Sequence, residues 1–267
     1  MKEYTTELIR NIALVGHSSS GKTMMAEAFL YFSGATTRMG KVEDGSTASD
    51  FDDEEIRRSL SLYTSLIPIE HKKIKLNFLD APGYTDFVGE VISALSVADS
   101  ALVLVDSLAG VEVGTEIAWR YCDEFNLPRA VIINKMDRDN ANLKKVMTSL
   151  EEFSETRLIR IQLPWGERGD FKGVIDLLSN KAYEGDGKKP VEIPAEYADA
   201  VEEARMELIE AAAEGDDALL EKYFEGEELS DAEIVRGLKN VFLTGDYVRV
   251  LSLQPPMNLG LVPFWTH

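Results

Sequence analysis

Positive charge is scarce in this 267-residue chain: 28 lysines and arginines against 47 aspartates and glutamates leave a formal net charge of −19. A free-standing nucleic-acid binder needs a basic face to displace counterions from phosphate. Direct nucleic-acid binding by this fragment alone is therefore not expected. A single cysteine, Cys122, excludes a disulfide framework within the chain. In Trp119-Arg120-Tyr121-Cys122 it reads as a packed core residue on a helix. No stretch approaches the roughly 20 apolar residues of a bilayer span, and Met1-Lys2-Glu3-Tyr4 lacks the apolar run of a secretory signal. A cytoplasmic location, no membrane partner and a monomeric state are the expectations. Internal repeats and low-complexity tracts are also missing. What remains is an apolar fraction of 45%, an ordinary globular value, on a chain long enough for a real core.

Residues 1–160 read as strands alternating with helices. Ile12-Ala13-Leu14-Val15 is a short apolar run that ends in glycine. A helical pattern follows from Thr23 to about Phe32. Residues 63–69 and 74–79 read as strands, the first an edge candidate, the second alternating Ile74, Leu76 and Phe78. Residues 101–105 and 130–133 are further apolar strands, separated by helical patterns over 88–97, 114–125 and 142–153. Such alternation implies a mostly parallel sheet covered on both faces, an α/β fold.

From about residue 161 to 240 the texture changes. Gly166, Gly169 and Gly173 punctuate short strands, and Gly185-Asp186-Gly187 reads as a turn. An acidic helix spans about 196–214 with Val201, Ala204, Leu208 and Ala212 on one stripe; its outer face is solvated, or else docks a partner. Ser230-Asp231-Ala232-Glu233 fits a capping box opening another helix. This stretch reads as an inserted α+β subdomain. Residues 241–267 read as the end of the first fold, with Gln254-Pro255-Pro256 interrupting a strand-to-loop passage and Trp265-Thr266-His267 following without a terminal helix.

Three segments carry chemistry. Gly16-His17-Ser18-Ser19-Ser20-Gly21-Lys22-Thr23 matches the phosphate-loop pattern between a strand and a helix. Its glycines let backbone N–H groups face a phosphate, the helix start adds a favourable dipole, Lys22 supplies a point charge, and the Thr23 hydroxyl can ligate Mg²⁺. Asp80-Ala81-Pro82-Gly83 follows a strand, so Asp80 is placed to hold Mg²⁺ and Gly83 to approach a terminal phosphate. Asn134-Lys135-Met136-Asp137 ends another strand. The Asp137 carboxylate can accept two bonds from guanine that adenine cannot offer; Asn134 can brace the loop, and the Lys135 stem can cover a base face.

In this order and spacing the segments resemble the G domain of translational GTPases, and the elongation factor G branch over residues 10–250. The resemblance also rests on Arg10-Asn11-Ile12, Gly16-His17, Gly83-Tyr84-Thr85-Asp86-Phe87, Gln162-Leu163-Pro164, Gly173-Val174-Ile175-Asp176 and Ile193-Pro194-Ala195-Glu196-Tyr197. It implies a P-loop NTPase fold, doubly wound, with the family's extra subdomain; bound GTP or GDP with Mg²⁺; GTP hydrolysis; and action on the ribosome, through a longer protein with further domains downstream. Ser-Ser-Gly-Lys-Thr and Ala-Pro-Gly-Tyr look like the divergent, second-copy branch. A ribosome-protection factor is an alternative branch.

The sequence departs from the family at four places. Ser19 stands where the family has an aspartate in the phosphate loop. Ser61 aligns with the threonine that the first switch region offers to Mg²⁺, and keeps its hydroxyl. The segment 40–61 around it is polar and turn-rich, as a nucleotide-ordered switch or a plain loop would be. Tyr84 replaces the histidine that orients the attacking water; a phenol can hydrogen-bond water but is a poor base at neutral pH. Slower hydrolysis, or a GTP/GDP-binding module with little turnover, is the expectation, with Tyr84, Lys22 and Gly83 as the catalytic candidates. His17 is read as a structural loop residue. Gln254-Pro255-Pro256 aligns with the last base-contacting loop, where two prolines remove two N–H donors.

Overall fold

A computed structural model of the chain describes residues 3–185 and 189–253. It divides after Leu127 into two compact units.

The first unit holds β1 (Ile9–Gly16), α1 (Lys22–Phe32), α2 (Asp53–Arg58), β2 (Ser65–His71), β3 (Ile74–Asp80), α3 (Val88–Ser96), β4 (Ser100–Asp106) and α4 (Val113–Glu124). Its strands are ordered β2-β3-β1-β4. β1 runs parallel to both β3 and β4, while β2 is antiparallel to β3. Parallel pairing puts the carboxyl ends of β1 and β3 on one edge, with Leu14 opposite Asp80, so the loops after the two strands converge there. The core is built from Ala13, Leu14 and Val15 of β1, Leu102, Val103, Leu104 and Val105 of β4 and the apolar side of α1. Phe29 of α1 stacks on Phe78 of β3 with ring centroids 4.3 Å apart, and both are fully buried.

β2 lies at the edge of the strand order, as expected of residues 63–69: Ser65, Ile67 and Ile69 are buried while Leu66, Pro68 and Glu70 are exposed. Pro68 is tolerated because an edge strand leaves one row of N–H groups unneeded. β3 differs from its predicted alternation. Ile74 and Leu76 are only half-buried and Phe78 alone of the three is buried, because a strand between β2 and β1 is partly covered on both faces. The segment 40–61 differs more. It is no plain loop but carries α2, whose Asp52 and Glu55 form a capping box and whose Arg57 and Arg58 close the last turn.

The second unit holds β5 (Arg129–Asn134), α5 (Leu143–Phe153), β6 (Arg157–Arg160), β7 (Gln162–Trp165), β8 (Gly173–Asp176), β9 (Lys181–Glu184), β10 (Pro190–Val191), α6 (Ala198–Glu214), α7 (Asp217–Phe224), α8 (Asp231–Thr244) and β11 (Tyr247–Leu253). β5-β11-β6 are parallel. β7 to β10 form a separate antiparallel sheet in the order β10-β9-β8-β7. Counting both units, the larger-sheet strands number seven among the described residues, and with their helices they make a mostly parallel α/β fold of the P-loop NTPase type.

The stripe Val201, Ala204, Leu208 and Ala212 is buried. Outward, α6 offers Glu214 and Glu207 to Arg157 and Arg160 of β6. Ser230 accepts from the Glu233 amide, and the Glu233 carboxylate returns to the Ser230 amide at 2.8 Å, so the predicted capping box opens α8. α7, from Asp217, was not read from the sequence; Asp216 caps it by accepting from Ala218 and Leu219. Cys122 is fully buried. Gln254-Pro255-Pro256 and all that follows it, like Asp186-Gly187, lie outside the described residues. No helix among the described residues is long and apolar enough to cross a membrane.

Candidate functional site

The phosphate-loop segment leaves β1 at Gly16, whose φ of 137° and close approach to the Leu104 carbonyl demand glycine. Ser19 takes a left-handed φ of 61°, and Gly21, at φ 100°, precedes the first turn of α1. The Lys22 side chain curls back over the loop: its Nζ donates to the carbonyls of Gly16 at 3.1 Å and His17 at 2.9 Å. His17 fastens the loop from outside. Its Nδ1 accepts from the Gly114 amide at 3.1 Å and its Nε2 lies 3.5 Å from the Glu112 carboxylate, which agrees with a structural reading of this histidine.

The turn after β3 lies against this loop. A Cβ on Gly83 would sit 2.4 Å from Lys22 Nζ and 2.6 Å from the Ser18 amide nitrogen; the glycine is there because backbone and loop nearly touch. Tyr84 follows with its side chain 44% exposed, open to solvent beside Gly83.

Ser61 and Thr23 are brought together, their hydroxyl oxygens 3.3 Å apart. Beside them Asp80 is 1% exposed, and neither of its carboxylate oxygens has a partner in hydrogen-bonding geometry. Burial pushes its pKa up to about 6; the Lys22 charge opposes the rise, Asp50 adds to it, and the nearby Thr23 and Ser49 hydroxyls oppose it weakly. Asp50 was not singled out in the sequence. It is buried, and burial raises its carboxyl too, against the Ser61 hydroxyl and with the Glu55 charge. Buried oxygens without partners cost free energy, so a cluster of this kind suits a cation.

Thr23, Ser61 and Asp80 are hard oxygen donors, the kind that Mg²⁺ takes. No group of three or more His, Cys, Asp or Glu among the described residues could hold a metal unaided.

In the second unit, β5 delivers Asn134, 3% exposed. Its Oδ1 accepts from the Lys135 amide at 2.8 Å, and Lys135 takes a φ of 64°. Met136 is fully buried and its carbonyl accepts from the Arg168 amide at 3.0 Å. Asp137 is exposed at the tip. The loop is thus braced from β5 on one side and from the turn after β7 on the other, where Gly166 donates to the Tyr197 hydroxyl at 2.9 Å. Nothing in the sequence pointed to Arg168 as a brace, because the bond is backbone to backbone.

The family described as Elongation factor Tu GTP binding domain matches residues 7–249. A solved structure from Thermus thermophilus aligns with a TM-score of 0.91 at 37% identity over 97% of this chain. The alignment takes in 39% of that structure's own chain.

Proposed function

The chain belongs to the family of elongation factor Tu GTP-binding domains, a G domain of translational GTPases, and from that premise we propose that it binds GTP and GDP with Mg²⁺ and hydrolyses GTP as part of an elongation factor G-like protein acting on the ribosome. The observation that carries the reading is the site around Asp80: an unpartnered buried carboxylate beside two hydroxyls 3.3 Å apart, under a lysine folded onto a phosphate loop.

In this reading the amides of 16–21 and Lys22 hold the phosphates, and Thr23, Ser61 and Asp80 hold the ion. Bound there, Mg²⁺ would neutralise charge that builds on the phosphate oxygens. Gly83 brings its backbone to the terminal phosphate. Asn134 holds the loop that carries Lys135 along one face of the base and Asp137 at its edge. Tyr84, exposed beside Gly83, orients the water. Residues 161–240 serve as the subdomain inserted in the elongation factor G type, with 1–160 and 241–267 as the GTPase core. A cytoplasmic, monomeric G domain without direct nucleic-acid contacts of its own completes the reading. A binding module with little turnover is the second reading, favoured by Tyr84.

The test is a Mg²⁺-buffered titration with fluorescent GDP, challenged with GTP and ATP. Displacement by GTP and not by ATP supports the guanine site, whereas equal displacement by ATP, or no binding, sinks it. Single-turnover hydrolysis with ribosomes, in the native chain and in Tyr84→His, then separates the two readings. A gain of tenfold or more in the variant assigns slow turnover to Tyr84 (the scale of a positioned acid–base group is about 10²–10⁴).

A further inference from the structure

Ser61 lies in a loop between α2 and β2, where its hydroxyl meets that of Thr23 and the Asp50 carboxylate. The backbone directly after it is held by Glu55. This glutamate is 1% exposed although it sits on a six-residue polar helix. Its Oε1 accepts from the amides of Leu62 at 2.9 Å and Tyr63 at 3.2 Å, and its Oε2 accepts from the amide of Asp52 at 3.2 Å. One carboxylate therefore closes both ends of the segment 52–63. Two of its three bonds fall on the residues directly after Ser61. Charge-assisted bonds of this kind are the strong ones, and a buried carboxylate that lost them would be left uncompensated.

A second buried glutamate, Glu27 of α1, does the same work farther upstream. It accepts from the amides of Gly40 and Ala48 and does not touch the residues beside Ser61.

We infer that Glu55 is a positioning residue for Ser61: by gripping the Leu62 and Tyr63 amides it holds the Ser61 hydroxyl against Thr23, where the ion of a bound nucleotide is held. The inference rests on the functional reading above. It goes beyond it by assigning to a side chain that touches neither nucleotide nor ion the task of completing the ion's ligand set. The geometry also ranks the substitutions. In Glu55→Gln one acceptor oxygen remains, enough for one set of amides but not both. In Glu55→Asp the side chain is one methylene shorter and loses its reach. Glu55→Ala loses everything.

Two measurements test it. The first needs no nucleotide: amide hydrogen exchange of the native 267-residue chain, of Glu55→Ala and of Glu27→Ala. Slow exchange at Leu62 and Tyr63 that Glu55→Ala abolishes and Glu27→Ala spares is the expected result. Fast exchange at those two amides in the native chain overturns the inference. The second is a double-mutant cycle on Mg²⁺-dependent GTP affinity with Ser61→Ala. Glu55→Ala alone should weaken GTP about tenfold and GDP less, and in the Ser61→Ala background its further effect should fall below about twofold. Losses that simply add show that Glu55 supports the fold and not Ser61, and overturn the inference while leaving the GTPase reading intact. A native chain with protected amides that binds no guanine nucleotide overturns both.

Discussion

Replacing Asp80 by Asn should make the nucleotide-free chain more stable and its nucleotide binding worse. The carboxylate is buried with no hydrogen-bonding partner, and its pKa stands at about 6 instead of 3.8. At about 1.4 kcal/mol per pH unit, that difference costs the folded state about 3 kcal/mol once the group is ionised. The sign follows from linkage: a raised carboxyl pKa gives stability that is present below pH 3.8 and lost as pH rises through about 6. Asparagine is neutral throughout and stands in for the protonated acid. In urea unfolding with chelator and without nucleotide, Asp80→Asn should exceed the native chain by about 3 kcal/mol at pH 8, by about half of that at pH 5, and by little near pH 4. With Mg²⁺ and GDP present the order should reverse, because the native carboxylate then has a cation to offset its burial. A variant equal to or weaker than the native chain at pH 8, or a difference that ignores pH, would refute the reasoning.

Gly83→Ala should cost nucleotide affinity at least tenfold and about 1–3 kcal/mol of stability, because the new methyl meets the Ser18 backbone at 2.6 Å as well as Lys22; calorimetric titration and thermal unfolding read both. Asp137→Ala should weaken GDP by about 3–6 kcal/mol through loss of two charge-assisted bonds while leaving the melting temperature nearly unchanged, since the side chain is exposed. Phe29→Ala should destabilise the first unit by about 3–5 kcal/mol by opening a cavity against Phe78, seen as a lower urea midpoint.

The strand and helix order was legible because apolar runs and chain punctuation agree: 12–15 lie in β1, 101–105 fill β4 and 130–133 fill β5, and the three motifs fall at the carboxyl ends of β1, β3 and β5. Ser61 was placed by alignment alone, and its approach to Thr23 follows from contacts that no window of sequence displays. The helix α2 was overlooked although its signals were present: Asp52 and Glu55 three apart, acids in the first turn, arginines in the last. A six-residue helix with one buried face leaves no hydrophobic period to notice, so the polar composition read as loop. Glu27, Glu55 and Asp50 escaped for a stronger reason. Sequence reading assigns glutamate and aspartate to solvent, and it is right unless the fold supplies amides or a cation to meet them. Glu27 and Glu55 meet amides up to 21 residues away. Asp80, without such a partner, stays costly to bury. That contrast separates Glu27 and Glu55, whose amide partners hold the chain in shape, from Asp80, whose carboxylate has no such partner.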